Sequence, residues 1–237
     1  MQNKNNSRRR FLKNSGLLIA GSTILNTNLL GETLINSGKN LSAGVKLNPN
    51  EHLMRDHGLM QRILLIYQEI IDRINKKSGF PPETVIDSAN TVRMFIEANH
   101  EQLEENYLFP HFKKANTLVE LVNILTIQHR KGTDLTSKIV QLGAGNFRKS
   151  KEKEQLKKYL HPFIRMFSAH EAREDTVLFP EFRKLISEAE YNSLGEQFAQ
   201  KQLDMFGPNG FELILHRVED IEKKLKIYGL SKYTAEV

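Results

Sequence analysis

The chain has 237 residues, of which 39% are hydrophobic and none is cysteine. This length allows one well-buried domain with extensions or two small domains, and the lack of cysteine excludes disulfides, thiolate metal sites and iron–sulfur clusters. The net charge of +6 comes largely from residues 1–43, which hold six of the 34 Lys and Arg residues and one of the 28 acids, so the rest of the chain has a charge of about +1. A nucleic-acid-binding protein is therefore not indicated.

The first element is a basic leader. Residues 7–13, with the sequence SRRRFLK, resemble the twin-arginine export signal. The apolar stretch at residues 16–21 is too short and too rich in small residues for a stable membrane span, and the small residues before Gly44 form only a weak cleavage site. The resemblance implies that residues 1–43 direct the folded protein, with any cofactor already bound, through the twin-arginine translocase to a periplasmic or extracellular location.

Four long amphipathic segments follow. Their apolar residues recur at alternating spacings of four and three, which predicts helices at about residues 50–77, 83–108 and from 118 onward, and a fourth around residues 156–177. Two more helical stretches are expected near residues 187–205 and 210–228. No segment alternates with a period of two, so we predict an all-α, antiparallel up-down four-helix bundle at residues 44–184 with two additional C-terminal helices at residues 185–237. The pattern leaves open whether those two helices cap the bundle or form a dimer surface.

The second and fourth segments contain the same sequence block. His100 to Lys114 and His170 to Lys184 both read H-E-x-x-E-x-x-x-L-F-P-x-F and share eight of fifteen residues. In each copy a glutamate follows the histidine by four residues, and positions four apart lie on one face of a helix. We expect the Leu-Phe-Pro that follows to seal the core and to bend or end the helix, because proline lacks a backbone donor and clashes with the preceding turn.

Each of the four predicted helices has one histidine at a position that should otherwise be apolar. These histidines, with the two glutamates of the repeated block, are His57, His100, His129, His170, Glu104 and Glu174. Two glutamates that point into one core repel each other unless a cation lies between them, and burying an unpaired carboxylate costs several kcal/mol. The six residues therefore predict a site for two metal ions, with the glutamates able to bridge them; iron, manganese and zinc all suit nitrogen and oxygen ligands.

The alternative is a metal-free core. A single core histidine is more often hydrogen-bonded than a metal ligand, and one H-x-x-x-E pair on a helix is often a surface pair. One histidine in each of four helices, two of them with glutamate at the same offset, favours the metal site.

These motifs resemble the hemerythrin-like (HHE cation-binding) family of non-haem di-iron four-helix bundles. The resemblance covers about residues 50–184 and rests on His57, on the two H-E-x-x-E blocks and on Gln128-His129-Arg130. It implies two iron ions, with an oxo or hydroxo bridge, four histidines as terminal ligands, and Glu104 and Glu174 as bridging ligands. The segment at residues 206–222 is similar to the C-terminal extension of some bacterial members.

The sequence departs from the oxygen-carrying hemerythrins at two positions. Their third helix supplies a second histidine where Thr133 stands here, and their fourth helix has an aspartate five residues after its histidine rather than a glutamate at four. One metal therefore has fewer protein nitrogens, and we expect the small residues Gly132 and Thr133 to leave space for water or another ligand. These departures argue against stable, reversible oxygen carriage.

Three functions remain open from the sequence. The leading hypothesis is an exported di-iron protein that binds dioxygen, peroxide or nitric oxide for sensing, delivery or scavenging. The second is an enzyme at the same site, a peroxidase, oxidase or nitric-oxide-detoxifying protein, and the third is iron storage or sequestration. The spacing and order of the ligands argue against the ferritin-like oxidases, whose pairs read Glu-x-x-His.

Several other polar residues are assigned lesser roles. Glu101 and Glu171 directly follow the predicted ligand histidines and sit about 100° around the helix from them. They could be hydrogen-bond partners of the ligands, alternative ligands or solvated side chains. We expect a core position for Tyr107 and ordinary positions for the four remaining histidines, His52, His111, His161 and His216.

Overall fold

A computed structural model describes residues 46–235, and the predicted export signal lies outside them. The described part of the chain is all-helical and contains no strand, as predicted. Four of its six helices are regular along their length: α1 (Pro49–Asn75), α3 (Val119–Gly143), α5 (Glu188–Phe206) and α6 (Gly210–Leu225). A short 3₁₀ helix follows at Leu230–Tyr233.

The two helices that carry the repeated block contain π-helical turns. Helix α2 consists of Pro82–Thr91, the π-helical Val92–His100, Glu101–Leu103, the π-helical Glu104–Leu108 and Phe109–Ala115. Helix α4 consists of Ser150–Arg173, the π-helical Glu174–Leu178 and Phe179–Leu185.

Of the two predicted outcomes at Leu-Phe-Pro, a bend or an end of the helix, the end does not occur, because a π turn precedes each proline and the helix continues. The backbone N–H of Phe109 donates to the carbonyl of Glu104, and that of Phe179 donates to the carbonyl of Glu174. Each bond spans five residues instead of four, so the turn before the proline is wider. A wider turn relieves the clash between the proline ring and the preceding carbonyl that an ordinary α-helix would impose, and both helices continue for about two more turns.

Local sequence signals set several helix ends. Asn48 begins α1: its side chain accepts a hydrogen bond from the N–H of Glu51, whose carboxylate accepts one from the N–H of Asn48. Ser187 begins α5 in a similar way by accepting from the N–H of Glu190. Helix α2 ends at Asn116, which adopts the left-handed conformation with φ of 53°.

The helices pack so that the predicted apolar positions are buried. Helix α1 contacts α2 and α4, and α3 contacts the same two helices from its own side. The C-terminal helices pack on this group: α5 contacts α1, and α6 contacts both α1 and α2. Arg62 on α1 donates to the Glu222 carboxylate on α6, and Phe95 on α2 contacts Phe206 at the end of α5.

Two clusters of buried apolar side chains fill the interior. The larger includes Tyr67, Phe95 and Phe163, and the smaller includes Phe112 and Phe182 from the repeated blocks. The predicted histidine and glutamate ligands lie between the two clusters. No helix between residues 46 and 235 has the length and apolar character needed to cross a membrane.

Candidate metal centre

The six predicted ligands form two overlapping groups in the protein interior. His57 and His100 belong to one group and His129 and His170 to the other, while Glu104 and Glu174 belong to both. Within each group the ligand atoms lie within 4.8 Å of one another, and all six side chains are buried. The four histidines are thus divided two and two, and each glutamate is placed where it could bridge.

The histidines approach one another through their Nε2 atoms. The Nε2 atoms of His57 and His100 are 3.1 Å apart, and those of His129 and His170 are 3.3 Å apart. Four long helices position these rings, each from a different direction. Two neutral imidazoles that direct Nε2 lone pairs at each other repel, so each pair needs a proton or a cation between its nitrogens.

Each glutamate lies between histidines of different groups. One oxygen of Glu174 is 3.4 Å from Nε2 of His57 and 3.1 Å from Nε2 of His170. Glu104 also lies between two histidines but uses both of its oxygens, with Oε2 3.4 Å from Nε2 of His129 and Oε1 3.6 Å from Nε2 of His100. Each glutamate therefore contacts one histidine of each group.

The outward-facing Nδ1 atoms of the histidines have polar partners that sequence reasoning missed. Nδ1 of His57 is 2.8 Å from the Asp175 carboxylate, and Nδ1 of His129 is 2.8 Å from the Glu105 carboxylate. A carboxylate on Nδ1 fixes the ring and leaves Nε2 free to bind a metal. The signal in the sequence is adjacency, because Asp175 and Glu105 each follow a predicted bridging glutamate.

The Nδ1 atoms of the other two histidines face polar side chains of the neighbouring helix, but of these two rings only His170 makes a hydrogen bond through Nδ1. Nδ1 of His170 is 2.9 Å from Oε1 of Gln128, and Nδ1 of His100 is 3.5 Å from Oδ2 of Asp56. Both partners directly precede a ligand histidine in the sequence. All four rings are therefore oriented with Nε2 toward the centre.

The electrostatics of the metal-free layer show how strongly it needs positive charge. Burial lowers the pKa of His129, but the neighbouring carboxylates of Glu104 and Glu105 outweigh it and raise the pKa to about 11. Burial also opposes the charge of His57, but Asp175 and Glu174 raise its pKa well above the ordinary value. Conversely, burial alone would raise the pKa of Glu174, and the nearby His170 and His57 hold it well below its usual range.

The donor atoms fit a metal pair. None of the four oxygen atoms of Glu104 and Glu174 makes a well-directed hydrogen bond, although all four are buried. Buried carboxylate oxygens without partners are strongly unfavourable unless a cation compensates them. A set of four imidazoles and two carboxylates suits iron, manganese or zinc.

The phenylalanines of the two Leu-Phe-Pro sequences cover the layer on one side. Phe179 stacks on the ring of His57 with centroids 5.4 Å apart, and Phe109 stacks on His129 with centroids 5.7 Å apart. The expectation that these sequences seal the core is confirmed. The π turn places the phenylalanine and the glutamate five residues before it in the same interior.

The expected ligand space beside Gly132 and Thr133 is absent. A Cβ atom on Gly132 would lie 2.5 Å from the Phe167 ring, which fills this position. Thr133 is exposed and its hydroxyl donates to the carbonyl of His129. Gly132 therefore admits an aromatic ring from α4 and leaves no gap for a ligand.

Glu101 and Glu171 are buried, so the solvated alternative is excluded. Their exposed fractions are 4% and 3%. Burial raises the pKa of Glu101 to about 8 and that of Glu171 to about 7. Gln61 on α1 donates to Oε2 of Glu171 at 2.6 Å, whereas Glu101 has no such neighbour.

The remaining candidates lie away from the centre. Tyr107 packs edge-on against Phe198 of α5, and His52 contacts the same phenylalanine from α1. His52 is buried, and burial lowers its pKa. The other histidines are partly or fully exposed: His111, His161 and His216.

Comparison with known proteins finds relatives but no assigned function. The chain is 40% identical over 192 residues to the uncharacterized protein Rv1995 of Mycobacterium tuberculosis, a match that covers 80% of this chain and 75% of the relative. The uncharacterized protein Mb2018 of Mycobacterium bovis matches with the same identity and coverage. No family model and no solved structure matches the chain.

Proposed function

We propose that this protein is a hemerythrin-like protein that binds two iron ions and a small oxygen-containing ligand. The chain belongs to one family with these uncharacterized mycobacterial proteins. The observation that carries the proposal is the sharing of Glu104 and Glu174 between two groups of buried ligands. Carboxylates shared between two ligand groups are suited to two ions bound close together, as in a dinuclear centre. Two separate mononuclear sites would not use the same carboxylates.

The packing of the helices supports the finer fold assignment. Helices α1 and α3 each contact α2 and α4, which is the neighbour pattern of an up-down four-helix bundle. Each of these four helices contributes a ligand histidine to the layer. We therefore propose a four-helix bundle at residues 44–184, with α5 and α6 as two additional helices on one side of it.

The donor set is compatible with iron, and the choice of iron follows the resemblance to the hemerythrin-like family. Bound iron would supply Lewis acidity and one-electron redox capacity at the centre. The chain itself supplies two imidazoles per ion, fixes them through the Nδ1 partners, and excludes water on the side covered by Phe109 and Phe179. Zinc and manganese fit the same donors, so metal identity is part of the test.

Ligand binding at this centre is the main proposal, and enzymatic turnover is the second. Storage is less favoured, because the candidate ligands form two groups that share both glutamates. A peroxidase, an oxidase or a nitric-oxide-detoxifying enzyme would use the same residues. A measurement of turnover distinguishes them from a binding protein.

The test is the metal content of the protein purified from iron-supplied cells, with optical spectra before and after reduction and exposure to oxygen. We expect two irons per chain and a charge-transfer band that is lost on reduction and restored by oxygen. Persistent consumption of peroxide would identify the enzyme. Metal content near zero, unchanged in His100→Ala and Glu174→Ala variants, would overturn the proposal.

A matched control separates ligand loss from general damage. His161 lies on α4, the same helix as His170, but its side chain is exposed. His161→Ala should retain two irons per chain, whereas His170→Ala should lose metal. Equal metal loss in both variants would contradict the assignment of His170 as a ligand.

We further propose export by the twin-arginine pathway, on the residues SRRRFLK. Replacing Arg8 and Arg9 by lysine keeps the charge and removes the arginine pair. We expect the full-length precursor to accumulate in the cytoplasm, as measured by cell fractionation. Unchanged export of this variant would show that another route is used.

A further inference from the structure

Arg55 joins the C-terminal helices to the side of the bundle that carries the His57–His100 pair. It lies on α1, two residues before His57. Its Nη2 atom donates to Oε1 of Gln202 on α5 at 2.7 Å. Its guanidinium carbon lies 3.9 Å from the centre of the Phe211 ring on α6, a cation–π contact. One side chain therefore touches both C-terminal helices.

The same guanidinium faces a buried carboxylate next to it in the chain. Nε of Arg55 is 3.8 Å from Oδ1 of Asp56, a residue that is 1% exposed. The other carboxylate oxygen, Oδ2, is 3.5 Å from Nδ1 of His100. Arg55, Asp56 and His100 thus form a row that runs from the C-terminal helices to a proposed metal ligand.

The contacts along this row are electrostatic. Nε of Arg55, Oδ1 of Asp56 and Nδ1 of His100 are buried and make no hydrogen bond. Water and salt screen buried charges much less than exposed ones, so charges at these distances still interact strongly. A carboxylate behind Nδ1 makes an imidazole a stronger electron donor to a metal. The positive charge of Arg55 offsets part of that effect.

We propose that Arg55 is a positioning residue that acts through Asp56 on His100, so that the electron-donating strength of this ligand depends on α5 and α6. Asp56 is too buried to turn toward water when Arg55 is removed. Its charge then acts on His100 without the offset. A stronger donor stabilises the more positive, oxidised ion, and removal of Arg55 therefore lowers the reduction potential of the centre. This inference rests on the proposed metal centre.

The experiment measures the reduction potential of the iron-loaded, full-length protein by a redox titration followed through its absorbance. Arg55→Met removes the charge at a similar side-chain length, and we expect its potential to fall below the native value at unchanged iron content. Arg55→Lys keeps a charge but lacks the planar guanidinium, so its potential should lie between the two. Gln202→Leu, on α5, loosens Arg55 and should produce a smaller fall.

Arg62→Met is the matched control. Arg62 also lies on α1 and also ties it to a C-terminal helix, by donating to the Glu222 carboxylate on α6. The side chains of Arg62 and Arg55 are similarly exposed, at 27% and 29%. Arg62→Met should lower the melting temperature and leave the potential at the native value. An unchanged or higher potential in Arg55→Met would overturn the inference, and so would an equal fall in Arg62→Met.

A measurement without metal separates this inference from the proposed function. Failure of the native protein to bind iron would overturn the proposed function, and the row is then tested by NMR of the metal-free protein. Arg55→Met should shift the signal of the His100 Nδ1 nitrogen, and Arg62→Met should not. An unshifted signal in Arg55→Met would overturn the inference whatever the iron content.

Discussion

In α2, His100 is the last of nine π-helical residues, whereas in α4, His170 lies within a regular α-helix that contains Pro162. Despite this difference, each copy places its glutamate beside its own histidine, with Nε2 of His100 3.6 Å from Glu104 and Nε2 of His170 3.1 Å from Glu174. The two helices thus bring an equivalent histidine–glutamate pair to the layer from different backbone conformations. The copies also share the π turn that begins at each glutamate and the phenylalanine that follows it.

The partners behind the ligands differ between the two halves. The His57–His100 pair is backed by two carboxylates, Asp175 and Asp56. The other pair is backed by one carboxylate and one amide, Glu105 and Gln128. A more negative environment favours a cation, so the two proposed metal positions are not equivalent. We expect the half with Asp56 to bind its ion more tightly.

The largest effect should come from removing a shared ligand. Glu104→Ala and Glu174→Ala each remove a donor from both groups, so we expect either variant to lose most of both ions. His57→Ala removes a donor from one group only and should lose about one ion of the two. Metal analysis of the purified variants checks this difference. Loss of a single ion in Glu104→Ala would contradict the bridging position.

The pH dependence of metal binding tests whether the two halves respond alike. In the metal-free protein the raised pKa values of His57 and His129 keep both rings protonated at neutral pH, and a metal must displace those protons. We expect the apparent affinity to rise with pH by about tenfold per unit for each proton released. Competition with a chelator between about pH 6 and pH 8 measures it.

The raised pKa values of His57 and His129 make metal affinity rise with pH, but they make the stability of the metal-free protein fall with pH. A histidine whose folded pKa is raised contributes stability that is fully present below its unfolded pKa of about 6.5 and is lost as the pH rises through the folded value. Thermal unfolding of the metal-free protein should therefore occur at a lower temperature in alkaline solution. For the metal-binding measurement, a metal affinity that falls as the pH rises would show that His57 and His129 are not ligands.

Removing the partner of a histidine Nδ1 atom should lower metal affinity less than removing a ligand does. Asp175→Ala and Glu105→Ala leave every donor in place but release the rings of His57 and His129. We expect a loss in metal affinity of about 10–100-fold in each, the usual range for such partners. Asp56→Asn, which makes its half more like the half with Gln128, should bring the two binding constants closer together. Titration with iron under reducing conditions measures both constants.

The smallest effect concerns packing rather than ligands. Gly132 on α3 occupies the position equivalent to Met60 on α1, three residues after the histidine. Gly132→Ala places a methyl group against the Phe167 ring and should destabilise the protein by about 1–3 kcal/mol. Thermal unfolding of the metal-free protein checks this value. An unchanged melting temperature would indicate that the ring moves aside freely.

The ligands could be predicted from the sequence because helical periodicity places residues i and i+4 on one face without further information. The histidines stand at apolar positions of four helices, and their burial follows from that pattern. Whether each helix ends at Leu-Phe-Pro or continues beyond it could not be predicted, because a π turn and a helix end both accommodate proline. The difference depends on how α2 and α4 pack against each other beyond the proline.

The surroundings of the ligands could be predicted less well. Asp175 and Glu105 lie about 100° around the helix from the face that carries the ligands, a position that is solvated in many helices. Only the approach of a neighbouring helix turns such a residue into a partner of a histidine. The same holds for Gly132, whose small size suggested free space until Phe167 was seen to fill it.

The π turns also bear on how this protein can change by insertion and deletion. In an ordinary α-helix, residues five apart differ by about 140° in direction, yet Glu104 and Phe109 both face the interior, as do Glu174 and Phe179. Loss of one residue from either turn would rotate the rest of the helix by about 100° and expose the phenylalanine. Relatives that keep the centre should therefore vary in length in the loops between helices and keep the same number of residues between each glutamate and its proline.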